Sequence, residues 1–205
     1  MKAKSWKAAL VSALFIFTSA ANAGVITLNN AEEVGVLSLS ESFTSFYDYR
    51  NAGSHTGYEQ EATAVMFLAE YNGDLALFTL LDKADASHSR READLTIDGF
   101  DASNVLLVDD SNESTSTGFS WAWVECCSDG MVYQVDDAEN FNLDLTFSNI
   151  VGFSDFKFLS FSGGTPVEID VSTSLTIQSV PVPEPSTLAI FALGVMGLAS
   201  RKFKR

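Results

Sequence analysis

The chain has 205 residues, of which 27 are acidic and 12 are basic, so its formal net charge is −15. A balance this acidic repels phosphate backbones and argues against nucleic acid as a partner. The length, with 46% hydrophobic residues, is sufficient for one domain with a substantial core.

The N-terminal segment has the three parts of a secretory signal peptide. Three lysines precede an apolar stretch at 8–17, and Ala-Asn-Ala at 21–23 supplies the small residues of a cleavage site. We therefore predict a cleavable signal peptide over 1–23. It would take the chain through the Sec translocation machinery and be removed by signal peptidase.

The body, 24–180, is predicted to be an all-β domain. Its strongest signal is a hairpin in which Asn72-Gly73 joins apolar strands at 64–71 and 74–80, because Asn-Gly suits the two positive-φ positions of a type I′ turn. About ten strands separated by polar clusters indicate an antiparallel β-sandwich or jelly roll. We expect a helix or loop insertion at 83–92. The further strands are predicted at 25–28, 34–40, 104–109, 118–124, 131–135, 141–148, 156–162 and 167–178.

Acidic residues dominate this body, which holds 26 of them against five basic residues, for a net formal charge of −21. Two clusters in predicted interstrand loops offer the oxygen ligands that calcium prefers. Neither has the glycine at the sixth position of an EF-hand loop, and solvated turns explain the same residues. The candidate calcium ligands are Asp109, Asp110, Glu113, Asp136, Asp137 and Glu139.

Residues 121–130 read Trp-Ala-Trp-Val-Glu-Cys-Cys-Ser-Asp-Gly and form the most unusual stretch of the body. With only two cysteines in the chain, an intrachain disulfide would join the neighbours Cys126 and Cys127 and constrain the turn. A structural role, as this vicinal disulfide or as two half-buried thiols, is the main interpretation. The alternatives are a carbohydrate-stacking platform made by Trp121 and Trp123, and a redox, metal or intermolecular role of the thiols.

Catalytic constellations do not stand out in the sequence. The only histidines, His55 and His88, lie in polar loop-like stretches, and there is no Gly-x-Ser-x-Gly elbow. Adjacent cysteines lack the usual spacing of zinc ligands, and no carboxylate pair is distinguished from the acidic background. We expect a protein that is not an enzyme and needs no cofactor, with calcium as the candidate ion.

The C-terminal residues 181–205 form a separate unit with three parts. Pro183-Glu184-Pro185 resists helix formation, an apolar run at 188–199 can enter lipid, and a basic end would stop at the cytoplasmic face. Extended over 186–203, a helix could span a thin membrane. The residues of the basic stop are Arg201, Lys202, Lys204 and Arg205.

This tail resembles the PEP-CTERM sorting signal of exopolysaccharide-producing Gram-negative bacteria. The resemblance covers Pro183, Glu184, Pro185, the apolar run and the basic cluster. It implies that an integral membrane exosortase is the partner that recognises the motif and cuts near it. The resemblance covers the tail alone and carries no activity over to the body.

Together these features predict a noncatalytic envelope or extracellular-matrix protein of three parts: signal peptide 1–23, β-rich domain 24–180 and sorting tail 181–205. It would be held transiently in the inner membrane with its body outside the cytoplasm, and would then reach the outer surface or the matrix. Exopolysaccharide is a candidate partner there. Two alternatives remain, a carbohydrate-binding or calcium-dependent adhesion module and a secreted glycan-acting hydrolase.

Overall fold

The computed structural model describes residues 25–51, 53–83, 90–124, 127–163 and 165–181. These residues form two packed β-sheets and one short helix, which confirms the predicted all-β class. The helix α1 is Phe43–Tyr47, and Ala102–Asn104 forms a single 3-10 turn. The strands are β1 (Val25–Leu28), β2 (Glu32–Val34), β3 (Leu37–Ser38), β4 (Thr63–Tyr71), β5 (Asp74–Leu81), β6 (Arg91–Ile97), β7 (Val105–Val108), β8 (Gly118–Trp123), β9 (Asp129–Val135), β10 (Asn142–Val151), β11 (Asp155–Ser160), β12 (Val167–Asp170) and β13 (Ser174–Val180).

The first sheet, sheet A, has the spatial order β2-β1-β13-β10-β6-β8. The second, sheet B, has the order β12-β11-β4-β5-β9-β7, with β3 also paired to β4. Strand pairing is antiparallel except where β4 runs parallel to β11 and to β3, so the wholly antiparallel prediction is wrong in this detail. Both β3 and β11 follow a strand of sheet A, so the chain crosses between the sheets before it enters them. A hairpin forces its two strands to be antiparallel, whereas such a crossing allows the new strand to run parallel to its neighbour.

The hairpin of β4 and β5 confirms the prediction made from Asn72-Gly73. Tyr71 pairs with Asp74 across the turn, and the two turn residues have φ values of 55° and 91°. These positive φ values are the ones that a type I′ turn requires. The turn thereby sets the register of the two central strands of sheet B.

Residues 90–97 correct the predicted helix or loop insertion at 83–92. Strand β6 begins at Arg91, and its buried residues Ala93, Leu95 and Ile97 alternate with polar ones that are more exposed. Paired with β8 and β10, it lies inside sheet A. The charged residues at its start make this period-2 pattern hard to recognise in the sequence, so the strand was not predicted. Residues 84–89 of the predicted insertion lie outside the described residues.

Two predicted strands each divide between the sheets. The segment 34–40 is shared by β2 and β3, and 167–178 is shared by β12 and β13. At the first crossing, Gly35 approaches another part of the backbone so closely that a Cβ there would lie 2.4 Å from the amide nitrogen of Ser162. A side chain would force this contact apart, so glycine allows the chain to change sheets.

The protein has apolar packing on both faces of sheet B. The inner core lies between the sheets and includes Leu77, Leu95, Trp121 and Ile177. On the outer face, α1 and its flanking segments cover a second cluster in which the rings of Phe67 and Phe78 stack with centroids 4.9 Å apart. Strands β4 and β5 are therefore buried on both sides, which accounts for their nearly continuous apolar sequences.

A buried ion pair holds the crossing from β5 in sheet B to β6 in sheet A. The Arg91 Nε atom donates to Asp82 Oδ2 at 2.7 Å, and the backbone amides of Ala62 and Lys83 donate to Asp82 Oδ1 at 2.8 and 2.9 Å. Asp82 is fully buried and Arg91 is 7% exposed. Arg91 also lies 6.0 Å from the ring centroid of Phe153. Both oxygens of this buried carboxylate thus have donors within the protein.

The first and last strands meet in sheet A. Val25 of β1 pairs with Val180 of β13, and β13 lies between β1 and β10. In the part of the chain that the structure describes, no helix has the length and apolar character needed to cross a membrane. The predicted signal peptide and the predicted membrane helix at 186–203 fall outside that part.

Candidate ligand-binding site

The structure separates the two predicted calcium clusters to opposite ends of β9. Asp109, Asp110 and Glu113 follow β7, close to the start of β9, whereas 136–140 form the turn that follows its end. In that turn the Asp137 carboxylate accepts from the amides of Glu139 and Asn140 at 3.0 and 3.1 Å. Asp136, Asp137 and Glu139 are exposed, so they form a solvated turn of the kind weighed against the calcium hypothesis.

The other cluster gains an acidic residue that the sequence reading did not include, Asp129. Val108 pairs with Met131 in antiparallel register, so Asp109 and Asp110 come alongside the first residues of β9. Glu113 and Asp129 are both 6% exposed, and both carboxyl oxygens of Asp109 are buried. We call Asp109, Glu113 and Asp129 the acidic cluster.

Local hydrogen bonds shape the loop that supplies two members of the acidic cluster. The Asp110 amide donates to Glu113 Oε2 at 3.2 Å, and the Glu113 amide donates to the Asp110 carbonyl at 3.1 Å. The Ser120 amide of β8 donates to the Glu113 carbonyl at 2.8 Å. The loop between β7 and β8 therefore turns the Glu113 side chain back toward the start of β9.

Tyr47, the last residue of α1, brings a hydroxyl group to the same place. It is fully buried and stacks on Phe78 with ring centroids 6.4 Å apart. A Cβ at position 130 would lie 2.6 Å from Tyr47 Oη, so Gly130 leaves the space that this hydroxyl occupies. Nothing in the sequence around Tyr47 marks this contact, because it depends on how α1 packs on the outer face of sheet B.

Several polar atoms at the acidic cluster have no hydrogen bond of ordinary length among the described residues, although the Tyr47 hydroxyl lies near enough to Asp109 and Ser54 to interact with them. They belong to four side chains that are buried or whose oxygens are buried. Since most buried polar groups in native proteins are hydrogen-bonded, this concentration at one site needs an explanation. The atoms are Asp109 Oδ1 and Oδ2, Asp129 Oδ1, Tyr47 Oη and Ser54 Oγ.

Burial and mutual repulsion alter the protonation of these groups. Burial, opposed in part by the Tyr47 hydroxyl and reinforced by the charges of Glu113 and Asp110, raises the pKa of Asp109 to about 7. Burial, followed by the charge of Asp110, raises the pKa of Glu113. Burial, followed by the charges of Glu113 and Asp109, raises the pKa of Asp129. For Tyr47, burial and then the charge of Asp109 raise the pKa well above its usual value, so its hydroxyl keeps its proton. Removing these carboxyls from water without a counterion favours their neutral forms.

The stretch 121–130 contributes mainly to packing. Trp121 is 1% exposed and stacks on Phe119 at 5.3 Å in the inner core, so its ring is not available to a sugar, contrary to the carbohydrate-platform alternative. Trp123 is half-buried, contacts Phe153 edge to face, and donates from Nε1 to the Cys127 carbonyl at 2.9 Å. Cys127 is disulfide-bonded. Its predicted partner, Cys126, lies outside the described residues, so the vicinal bond stays a prediction.

Ser128 connects this stretch to the segment that follows α1. Its hydroxyl accepts from the Ser54 amide at 3.2 Å, while the His55 amide donates to the Tyr47 carbonyl at 3.1 Å. His55 therefore lies near the site, although no role is predicted for it from the sequence. Its ring nitrogen Nδ1 is 3.0 Å from the Gly53 carbonyl oxygen. This segment holds Ser54, 3% exposed, beside the acidic cluster.

Within the described ranges, no three His, Cys, Asp or Glu side chains are placed closely enough to hold a metal ion as they stand. The acidic cluster can nonetheless exchange protons near neutral pH, because burial raises the pKa values of its members.

The comparisons with known proteins concern the other end of the chain. Residues 181–205 match the PEP-CTERM protein-sorting motif, which confirms the resemblance of the tail and includes Pro183, Glu184 and Pro185. No curated protein and no solved structure gives a significant match to this chain. The chain therefore carries a sorting motif that implies exosortase as its processing partner and export to the cell envelope or surface.

Proposed function

We propose that the β-sandwich is a noncatalytic module of the envelope or extracellular matrix. The signal peptide would start its export, and the apolar tail would hold it transiently in the inner membrane with the sandwich outside the cytoplasm. Exosortase would then process the tail and pass the sandwich to the outer surface or matrix. Positive charges at Arg201, Lys202, Lys204 and Arg205 would keep the tail end on the cytoplasmic side.

One observation carries this proposal: the sorting motif begins immediately after the domain's last strand. Strand β13 ends at Val180, and the motif covers 181–205. The domain and its sorting motif are thus adjacent in the chain, with no intervening unit between them. A folded module attached directly to a sorting tail is suited to delivery as an intact body.

The burial of the acidic residues whose pKa values are raised supports a noncatalytic role. Glu113 and Asp129 are each 6% exposed, and Tyr47 is fully buried beside them. A polymeric substrate would need to reach such groups from a cleft, as carboxyl pairs in glycosidases are reached. Their enclosure suits a small ligand or a structural role better than hydrolysis of a glycan.

The test is to follow the full-length chain in cells that contain an exosortase. Replacing the motif, as Pro183→Ala, Glu184→Ala and Pro185→Ala together, should leave an unprocessed chain in the inner membrane. Pro166→Ala, a proline change in the body, should leave sorting unchanged. Fractionation and intact mass would identify the products. Surface delivery of the triple variant at the normal level would overturn the proposal.

A further inference from the structure

We propose that two adjoining grooves at one end of the sandwich bind a polymer of amino sugars, through contacts to its hydroxyl groups and through the charge of its amino groups. This inference rests on the proposed delivery to the outer surface or matrix, and it names the class of partner that the sandwich would contact there. The grooves lie at the end where β6 and β9 finish, and no member of the acidic cluster lines either of them.

The loop at 98–101 separates the two grooves and is fixed to both sheets. The Asp98 amide donates to the Asp144 carbonyl of β10 at 3.0 Å, and the Asp101 amide donates to Tyr133 Oη of β9 at 3.0 Å. The first groove, about 240 Å³, lies beside β6 and β10, and the second, about 260 Å³, lies at the end of β9. Sites for single drug-sized ligands measure about 300–1,000 Å³. Two smaller grooves that share a wall therefore suit successive units of a chain.

The lining of the grooves suits a sugar ring, which has apolar faces and hydroxyl groups at its edge. Phe100 lines the first groove and Phe141 the second, and both rings are half-buried. Phe100 is held in place by stacking on Tyr133 with ring centroids 5.6 Å apart. Hydroxyl and amide groups, which both donate and accept hydrogen bonds, surround the rings. They belong to Thr96, Thr117 and Thr146 in the first groove and to Asn104, Asn140 and Asn142 in the second.

A buried donor at the second groove points to a ligand independently of the groove's shape. Tyr133 lines this groove and is only 3% exposed. Its hydroxyl oxygen accepts from the Asp101 amide, but its own proton has no acceptor within hydrogen-bonding distance among the described residues. A buried tyrosine hydroxyl normally uses its donor. Because this hydroxyl contacts the loop that forms the groove wall, an oxygen atom of a bound sugar can accept the proton.

The charges at the grooves determine which kind of sugar chain fits. Asp98 and Asp144 line the first groove, Asp98, Asp136 and Asp137 line the second, and no lysine or arginine is among the described residues that line either. The side chains of Asp98 and Asp136 are exposed and form no hydrogen bond with other described residues. An acidic polysaccharide would be repelled by these carboxylates. Protonated amino groups complement them and form charge-assisted hydrogen bonds, which are stronger than neutral ones.

The experiment is calorimetric titration of a glucosamine hexasaccharide into the full-length chain, purified in detergent, at pH 6 in 0.15 M salt. The hexasaccharide of N-acetylglucosamine has the same rings without the charge, and hexalysine has the charge without the rings. The glucosamine hexasaccharide should bind, and each of the other two ligands should bind at least about tenfold more weakly. The reason is that one lacks the charge-assisted hydrogen bonds and the other lacks the hydroxyl contacts.

Variants locate the binding site. Asp98→Asn should weaken binding of the glucosamine hexasaccharide about tenfold, because it removes one charge-assisted contact. Asp155→Asn is the matched control, since Asp155 is exposed and pairs with Thr63 at the opposite end of the sandwich, where β9 begins. It should change affinity less than about twofold, because charges in this salt act over about 8 Å. Tyr133→Phe should weaken binding of the hexasaccharide and leave binding of hexalysine unchanged.

Circular dichroism must show that the variants remain folded. Asp136→Asn replaces Asp98→Asn, and Asn104→Ala replaces Tyr133→Phe, if either does not. Absence of binding with the glucosamine hexasaccharide at about 5 mM would overturn the proposal. So would equal affinity for its acetylated form or for hexalysine, or equal losses in Asp98→Asn and Asp155→Asn. These titrations use purified protein, so their failure leaves the sorting result intact, and failed sorting in cells leaves these titrations intact.

Discussion

Two buried carboxylate sites in this protein solve the same electrostatic problem in different ways. Asp82 receives three donors from the protein, including Arg91 at 2.7 Å. The acidic cluster has carboxyl oxygens without partners among the described residues. The first site is complete within the fold, whereas the second lacks compensation that a proton or an ion can supply.

The two sites differ in whether one of the few basic residues of the body lies beside the buried carboxylate. The body has five basic residues, and one of them, Arg91, is buried at the crossing between the sheets. Removing one member of a buried pair exposes the other to the full desolvation penalty. The Asp82–Arg91 pair should therefore have a structural role, and three experiments test how it differs from the acidic cluster.

The largest effect should come from Arg91→Met, which keeps an apolar side chain near Phe153 but removes the Arg91 guanidinium from Asp82. Breaking a buried pair from one side costs about 3–5 kcal/mol, so the free energy of unfolding should fall by this amount. Urea unfolding followed by circular dichroism measures it. Arg90→Met is the matched control, since the Arg90 side chain is 65% exposed in its pair with Glu92. A similar loss in both variants would contradict the structural role of the buried pair.

An intermediate effect is expected from Gly130→Ala. The added Cβ would lie 2.3 Å from the Thr79 carbonyl oxygen and 2.6 Å from Tyr47 Oη. Overpacking of this kind costs about 1–3 kcal/mol, measurable as a lower midpoint in urea. Tyr47→Phe should recover part of the loss in the double variant, because it removes one of the two clashes. If the double variant is no more stable than Gly130→Ala alone, the hydroxyl is not at Gly130.

The smallest effect should appear in the pH dependence of stability without metal. Asp109 has a folded-state pKa raised from 3.8 to about 7 by burial and neighbouring carboxyls, so the folded state binds its proton more tightly than the unfolded state. This contribution is fully present below the unfolded pKa and is lost as the pH rises through about 7.

Asp109→Asn removes this titration. In EDTA, its stability relative to wild type should increase between pH 5 and 7 by no more than about 1 kcal/mol per pH unit. Denaturant unfolding at a series of pH values provides the measurement. Asp137→Asn should follow the wild-type curve in this range. A wild-type curve parallel to that of Asp109→Asn would show that the buried carboxyl is not protonated in the folded state.

The structural features that depend on local chemistry could be predicted from the sequence. Asn72-Gly73 specified the central hairpin through its backbone preferences, and the polar loop after β7 drew attention to Asp109 and Glu113. Strand β6 was not predicted because its first residue, Arg91, has the character of a surface residue unless its partner Asp82 is known. Residues nine apart in the chain form that pair only after the sheets have packed.

The complete candidate site could not be predicted because its parts come from distant segments. Asp129 joins Asp109 through strand register, and Tyr47 arrives from α1 on the outer face of sheet B. Spacing in the sequence reports neither contact. The second predicted acidic cluster has the same composition as the first, and only burial distinguishes the enclosed Glu113 from the exposed Glu139.

The pairing of Val25 with Val180 has a consequence for the order in which the molecule assembles. Without β13, β1 has only β2 beside it and β10 has only β6, so sheet A exists as two halves. The strand that joins them is the last to be made and the one nearest the tail. Sheet A is therefore completed by the strand that directly precedes the sorting motif at 181–205.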